Sequence, residues 1–98
     1  MPEPDALTLG AVLDALADPL RLEIVRELEA RGESACGTLV ERVAASTRSH
    51  HLKTLREAGV TRTRVSGTRR LVSLRRDDLD ARFPGLLDAV LDSAAIAP

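Results

Sequence analysis

Apolar residues recur along the chain at helical intervals in several stretches and give way to strand-like texture in one. Leu9, Val12, Leu13 and Leu16 follow the i, i+3, i+4, i+7 rule, which predicts an amphipathic first helix over roughly 5–17. Asp18-Pro19 ends it. Asp18 suits an N-cap and Pro19 the first helical position, so a second helix is predicted from Pro19 to about Arg31, closed by Gly32 as a C-cap or turn residue. Leu20, Leu22, Ile24, Val25 and Leu28 cover much of its circumference, which makes it the expected central helix. Over 34–43, Leu39, Val40 and Val43 return to helical intervals, and a short third helix is expected. After Ala44-Ala45, Ser46 or Thr47 can cap a fourth helix ending at Gly59. Its Leu52, Leu55 and Ala58 face inward, while Ser46, Ser49, His50 and Lys53 share an outward stripe.

From Thr61 the residues become β-branched and arginine-rich, TRTRV and TRRLVSL, separated by Ser66-Gly67. That is a hairpin signal, and a two-residue or a four-residue loop fits. Phe83, Leu86, Leu87, Val90, Leu91 and Ala94 then predict a last helix over about 84–95, preceded by a turn at 77–80. The expected architecture is mainly α with a small β-hairpin wing, a winged helix-turn-helix occupying 1–98 as one domain.

Composition changes this picture in two ways. The only aromatic residue of the 98 is Phe83, so the core rests on aliphatic side chains. Burial yields about 25 cal/mol per Å², against roughly 1–2 kcal/mol of ordering cost per residue, so a partner subunit is expected to help and a homodimer is the default. The lone Cys36 cannot make an internal disulfide, no apolar run reaches membrane-spanning length, and the first ten residues do not resemble a secretory signal. A soluble cytoplasmic protein is expected. The net charge of −1 hides a separation: residues 1–45 carry −5, 46–76 carry +8 and 77–98 carry −4. An acidic body with one concentrated basic block predicts a polyanion-binding surface, since local field rather than total charge attracts phosphate.

LADPLRLEIVREL at 16–28 and STRSHHLKTLREAGV at 46–60, followed by R-x-x-G-x-R-R, resemble the signature segments of ArsR/SmtB-type repressors over nearly the whole chain. The resemblance implies a homodimeric winged-helix repressor of a palindromic operator, dimerised through its first and last helices. Three positions depart from the family pattern. Arg48 stands where an aliphatic residue is usual, so either the helix start is rotated or the Arg48 stem packs along the surface; the segment between Cys36 and Ser46 is about two residues short; and Thr61 replaces an aliphatic residue. Members of that family often bind metal through paired cysteines on the third helix or through Asp, His and Glu on the last. This chain has Cys36 alone and, on the last helix, Asp88 and Asp92 without histidine, so no metal and no cofactor is expected.

The expected partner is double-stranded DNA. Candidate contacts are Ser46, Thr47, Arg48, Ser49, His50 and Lys53 on the fourth helix and Arg62, Arg64, Arg69 and Arg70 on the wing. His50 and His51 do not form a chelating pair, because neighbours on a helix point about 100° apart; His51 is expected half-buried and hydrogen-bonded. Cys36 is a candidate redox switch or simply a small buried side chain. No nucleophile motif, phosphate loop or carboxylate pair points to an enzyme. A protein-interaction module is the competing class, and a small-molecule inducer is compatible with either.

Overall fold

The computed structural model describes residues 2–96. They form α1 (Leu9–Ala17), α2 (Pro19–Arg31), β1 (Ser34–Ala35), α3 (Ala45–Glu57), β2 (Thr61–Ser66), β3 (Arg69–Leu74), α4 (Arg76–Arg82) and α5 (Leu86–Ile96), with 3-10 turns at Pro4–Ala6 and Cys36–Thr38. A three-stranded antiparallel sheet ordered β1-β3-β2 packs against α2 and α3.

The second helix is as the pattern predicts. Asp18 Oδ1 accepts from the N–H groups of Leu20 (2.9 Å) and Arg21 (3.0 Å), and the Gly32 N–H returns to Leu28 O at 2.8 Å. The Arg21 N–H bond is the chief reason the Asp18 carboxyl lies below its ordinary range. Only Ile24, Val25 and Leu28 of this helix are fully buried; Leu20 and Leu22 are half-buried.

Three predicted boundaries are corrected. The first helix begins at Leu9, not Asp5, because Thr8 supplies the cap (Ala11 N–H to Oγ1, 3.3 Å) and Leu7 must turn into the core, where it is 1% exposed. The segment over 34–43 holds no third α-helix; Ser34 and Ala35 join the sheet, and a 3-10 turn and further turns follow. Leu39 and Val40 are both buried, and Val40 adopts φ 41°, outside the helical region for a β-branched residue. Its N–H is held by Glu27 Oε1 at 3.2 Å. Finally, 77–80 is not a turn but part of α4, where Asp77 and Asp78 occupy the first turn and favour a helix N-terminus while Leu79 enters the core.

One cluster of buried side chains joins the N-terminal segment to the last helix: Leu7, Val12, Ile24, Leu28, Leu39, Leu55, Val60, Val72 and Leu87 among others, with Phe83, Val90 and Leu91 packed against it. No described helix is long and apolar enough to cross a membrane.

Candidate nucleic-acid interface

The exposed side of α3 is set by what docks its other side. Leu52 and Leu55 are buried in the core. One turn away, Arg21 of α2 uses Nε and Nη2 to bond the carbonyls of Ala15 (2.7 Å) and Asp14 (3.3 Å), and lies 3.3 Å from His51 Nδ1 through Nη1. A guanidinium only donates, so His51 accepts at Nδ1. His51 is half-buried and bonded, as the pattern predicts; the His50 ring stands 60° from it and faces solvent. The cap lies two residues before Ser46 and three before Thr47, the expected caps: Ala44 is the N-cap and makes no side-chain bond. Ser46 and Thr47 therefore sit within the first turn, with their hydroxyls exposed and unbonded among the described residues, as are Ser49 and Lys53. Arg48 packs back along the surface, its Nη1 3.4 Å from the Val43 carbonyl.

A sharp turn delivers the chain from α3 to the wing. Gly59 has φ 85°, and the place a Cβ would take is filled by the Leu7 side chain. Val60 N–H then bonds Leu55 O, and the next residue, Thr61, is fully buried with a hydroxyl that has no partner among the described residues. The hairpin pairs Thr61 with Leu74 through Ser66 with Arg69, so the loop is the two residues Gly67-Thr68. Gly67, at φ 63°, provides the positive angle of a type II′ turn.

Strand alternation divides the wing arginines. Cross-strand partners share a face, so Thr63, Val65, Arg70 and Val72 lie on one side of the sheet and Arg62, Arg64, Arg69 and Leu71 on the other. Thr63, Arg70 and Val72 face α3 and enclose, with Cys36, Ser49, Leu52, Lys53 and Arg56, a cleft of about 260 Å³. The other side meets carboxylates. Arg64 makes a two-pronged bond to Glu33 (2.9 and 2.7 Å), and that bond holds the Glu33 carboxyl below its ordinary range. Arg62 lies 3.4 Å from Asp78, which also receives the buried Arg75 at 3.0 Å. Arg76 bridges Asp80 and Glu29 (3.0 Å each) and Asp88, linking α4, α2 and α5; these contacts raise its already high pKa.

The polyanion-binding surface expected from the +8 block is thus narrower in the folded chain. Arg62, Arg64, Arg75 and Arg76 are engaged by carboxylates, leaving Arg48, Lys53, Arg56, Arg69 and Arg70 without an ion pair among the described residues. Arg56 was left out of the contact set read from the sequence, although it continues the same side of α3 one turn after Lys53 and two turns after Ser49; in the fold all three line the cleft beside the wing. Cys36 is a free, half-buried thiol in that cleft. No cluster of three or more potential metal ligands occurs among the described residues.

A helix docked by its apolar side, presenting unbonded hydroxyls and a lysine beside an arginine-bearing hairpin, defines a winged helix-turn-helix DNA-binding protein. Residues 16–64 match the family model described as a helix-turn-helix domain. The chain is 39% identical over 93 residues to the uncharacterized HTH-type transcriptional regulator YceK of Bacillus subtilis, covering 92% of this chain and 93% of that one. It is 36% identical over 74 residues to the arsenical resistance operon repressor of Staphylococcus xylosus, covering 74% of this chain and 70% of the repressor. Among solved structures, it is similar to the homodimeric winged helix-turn-helix domain of a possible ArsR-family regulator from Mycobacterium bovis, with a TM-score of 0.68 and 29% identity over 89% of this chain and 81% of that one. The chain belongs to the ArsR-type winged helix-turn-helix family, and it is a DNA-binding transcriptional regulator.

Proposed function

We propose that the protein is a homodimeric repressor that reads an inverted-repeat operator with α3. The observation that carries this is the solvent-facing stripe of Ser46, Thr47, Ser49, His50 and Lys53, whose side chains make no hydrogen bond within the described residues. Polar groups left unbonded on a rigid helix are available to base edges and phosphates. Arg69 and Arg70 of the wing join this contact set. Arg62 and Arg64 stay outside it while Asp78 and Glu33 hold them, and Arg48 while it leans on Val43.

Self-association is supported by α1 and α5. Leu9 and Leu13, one turn apart on α1, are 48% and 43% exposed, and Leu86, Val90 and Leu91 of α5 are only half-covered. A second copy would bury these aliphatic groups and supplement a core with one aromatic residue. The homodimeric relative from Mycobacterium bovis and the repressor from Staphylococcus xylosus support the same assembly and sign of regulation. The two recognition helices would then enter successive major grooves about 34–36 Å apart. Binding would take place in the cytoplasm, with an inducer acting through the dimer.

Selection of bound sequences from a random duplex pool tests this directly. The expected product is an inverted repeat with half-sites about one helical turn apart. Recovery of single, unpaired half-sites would reject the dimeric operator, and recovery of no enriched sequence would reject sequence-specific reading.

A further inference from the structure

The cleft between α3 and the wing has a one-sided chemistry. Five polar side chains line it: Ser49, Lys53 and Arg56 from α3, Thr63 from β2 and Arg70 from β3. None of the five side chains has a hydrogen-bond or ion-pair partner among the described residues, and no carboxylate or amide lines the cleft. Its remaining walls, Cys36, Leu52 and Val72, are weakly polar or apolar. Elsewhere in the same basic block, Arg62, Arg64, Arg75 and Arg76 have each met a carboxylate. Three cations gathered over a low-dielectric floor repel one another and focus a positive field outward, and an anion entering the cleft removes that cost.

The donor set also distinguishes between parts of a duplex. Base edges in the major groove offer mixtures of donors and acceptors, whereas a backbone phosphate offers acceptors only. The cleft's two guanidinium groups and ammonium only donate, and the two hydroxyls can donate as well. Its roughly 260 Å³ is room for one phosphate group with part of its hydration.

We infer that this cleft seats one phosphodiester of the DNA backbone per protomer, clamped by Arg56 and Lys53 from the helix and Arg70 from the wing. The seat rests on the DNA-binding function above and adds to it. Arg56 becomes a contact residue, and the seat fixes how α3 is registered in the groove without reading sequence. A clamp that draws on both α3 and β3 also holds helix and wing to the same strand.

Anisotropy titrations of the full chain on a labelled random-sequence duplex, from 50 to 300 mM salt, test the seat. Arg56→Gln and Arg70→Gln are each expected to flatten the slope of log affinity against log salt by up to about 0.9 per protomer, and Arg56→Lys to restore it. Arg64→Gln, on the opposite side of the sheet, should leave the slope as it is. Arg70 lies on the exposed hairpin, so its variant keeps the test decisive even if Arg56→Gln melts early by circular dichroism. A wild-type protein with a steep slope and two glutamine variants that keep it would overturn the seat while leaving DNA binding intact. The same unchanged slope, together with inorganic phosphate binding by the wild type that both glutamine variants lose in calorimetry, would assign the cleft to a free oxyanion, again overturning the proposal. Absence of any duplex binding by the wild type would instead remove the function on which the seat rests.

Discussion

Arginines on the two sides of the wing sheet meet different fates, although Arg69, at the hairpin end of the outer side, has no ion pair among the described residues. On the side facing α3, Arg70 looks into a cleft shared with Lys53 and Arg56 and has no ion-pair partner among the described residues. On the other side, Arg64 is two positions from Arg62 along one strand, and both are met by acidic groups, Glu33 and Asp78. The four wing arginines lie within nine residues of one another, so a charge count over the segment treats them alike. The period of two along a strand separates them, and the neighbouring elements decide which charges remain available to a ligand. Availability, rather than the number of cations, locates the interface.

The largest expected effect comes from the joint on which both sides depend. Gly59 connects α3 to β2 at φ 85°, and the Leu7 side chain occupies the space next to it. Gly59→Ala would place a Cβ in a left-handed backbone and displace a buried leucine. A loss of roughly 2–4 kcal/mol is expected, corresponding to a Tm lower by on the order of 15 °C. Thermal melts check the stability, and duplex binding should weaken with it because α3 and the wing lose their common anchor. If Gly59→Ala melts like the wild type, the joint does not organise the two sides.

A smaller effect tests the scaffold behind the recognition side alone. Asp18 caps α2, and Arg21, one turn on, connects the end of α1 to His51 of α3. Asp18→Ala should cost about 1 kcal/mol, or about 4–8 °C in Tm, while Asp18→Asn should retain most of the cap. The pH dependence has a definite sign. The Asp18 pKa is lowered in the folded chain, chiefly by the Arg21 N–H, so its stabilisation is complete above the ordinary aspartate value and is lost as pH falls through the lowered one. The gap in Tm between wild type and Asp18→Ala should be constant near neutrality and narrow below about pH 4. A gap that widens in acid would contradict this account of the cap.

Much of this was legible in the sequence where one local signal settled the matter. Asp18-Pro19 and Gly32 fixed the limits of α2, and Gly67 allowed the tight hairpin, because caps and positive φ angles are set within a few residues. Leu52 and Leu55 at helical spacing oriented α3 and thereby placed Ser46, Ser49, His50 and Lys53 outside. What was not legible depended on distant partners. Two residues of β1 carry no pattern of their own and become a strand only by pairing with Leu71 and Val72. Leu39 and Val40 have apolar spacing that suits a helix, yet both reach the core from a run of turns in which Val40 takes a positive φ. The pairing of Arg64 with Glu33, 31 residues earlier, likewise belongs to the tertiary arrangement, whereas Arg56 sits at helical spacing from Ser49 and Lys53.

The pair that closes off the outer side can be opened with little change in stability. Arg64 is 57% exposed and Glu33 34%, and solvent-accessible ion pairs contribute little to folding, so Glu33→Gln should move Tm by no more than a few degrees. Its effect on charge availability is more specific. Glutamine keeps an oxygen acceptor but no charge, so Arg64 is no longer electrostatically held and can turn to a phosphate. On a random duplex the salt slope of Glu33→Gln should steepen by up to about 0.9 per protomer, and combining it with Arg64→Gln should return the wild-type slope. Acid acts in the same direction: the Glu33 pKa is lowered by the Arg64 bond, so the pair is intact above the ordinary glutamate value and opens as pH falls through the lowered one. A Glu33→Gln slope equal to that of the wild type would mean that Arg64 lies beyond reach of the backbone even when free. Geometry, and not its carboxylate partner, would then be what separates the two sides of the wing.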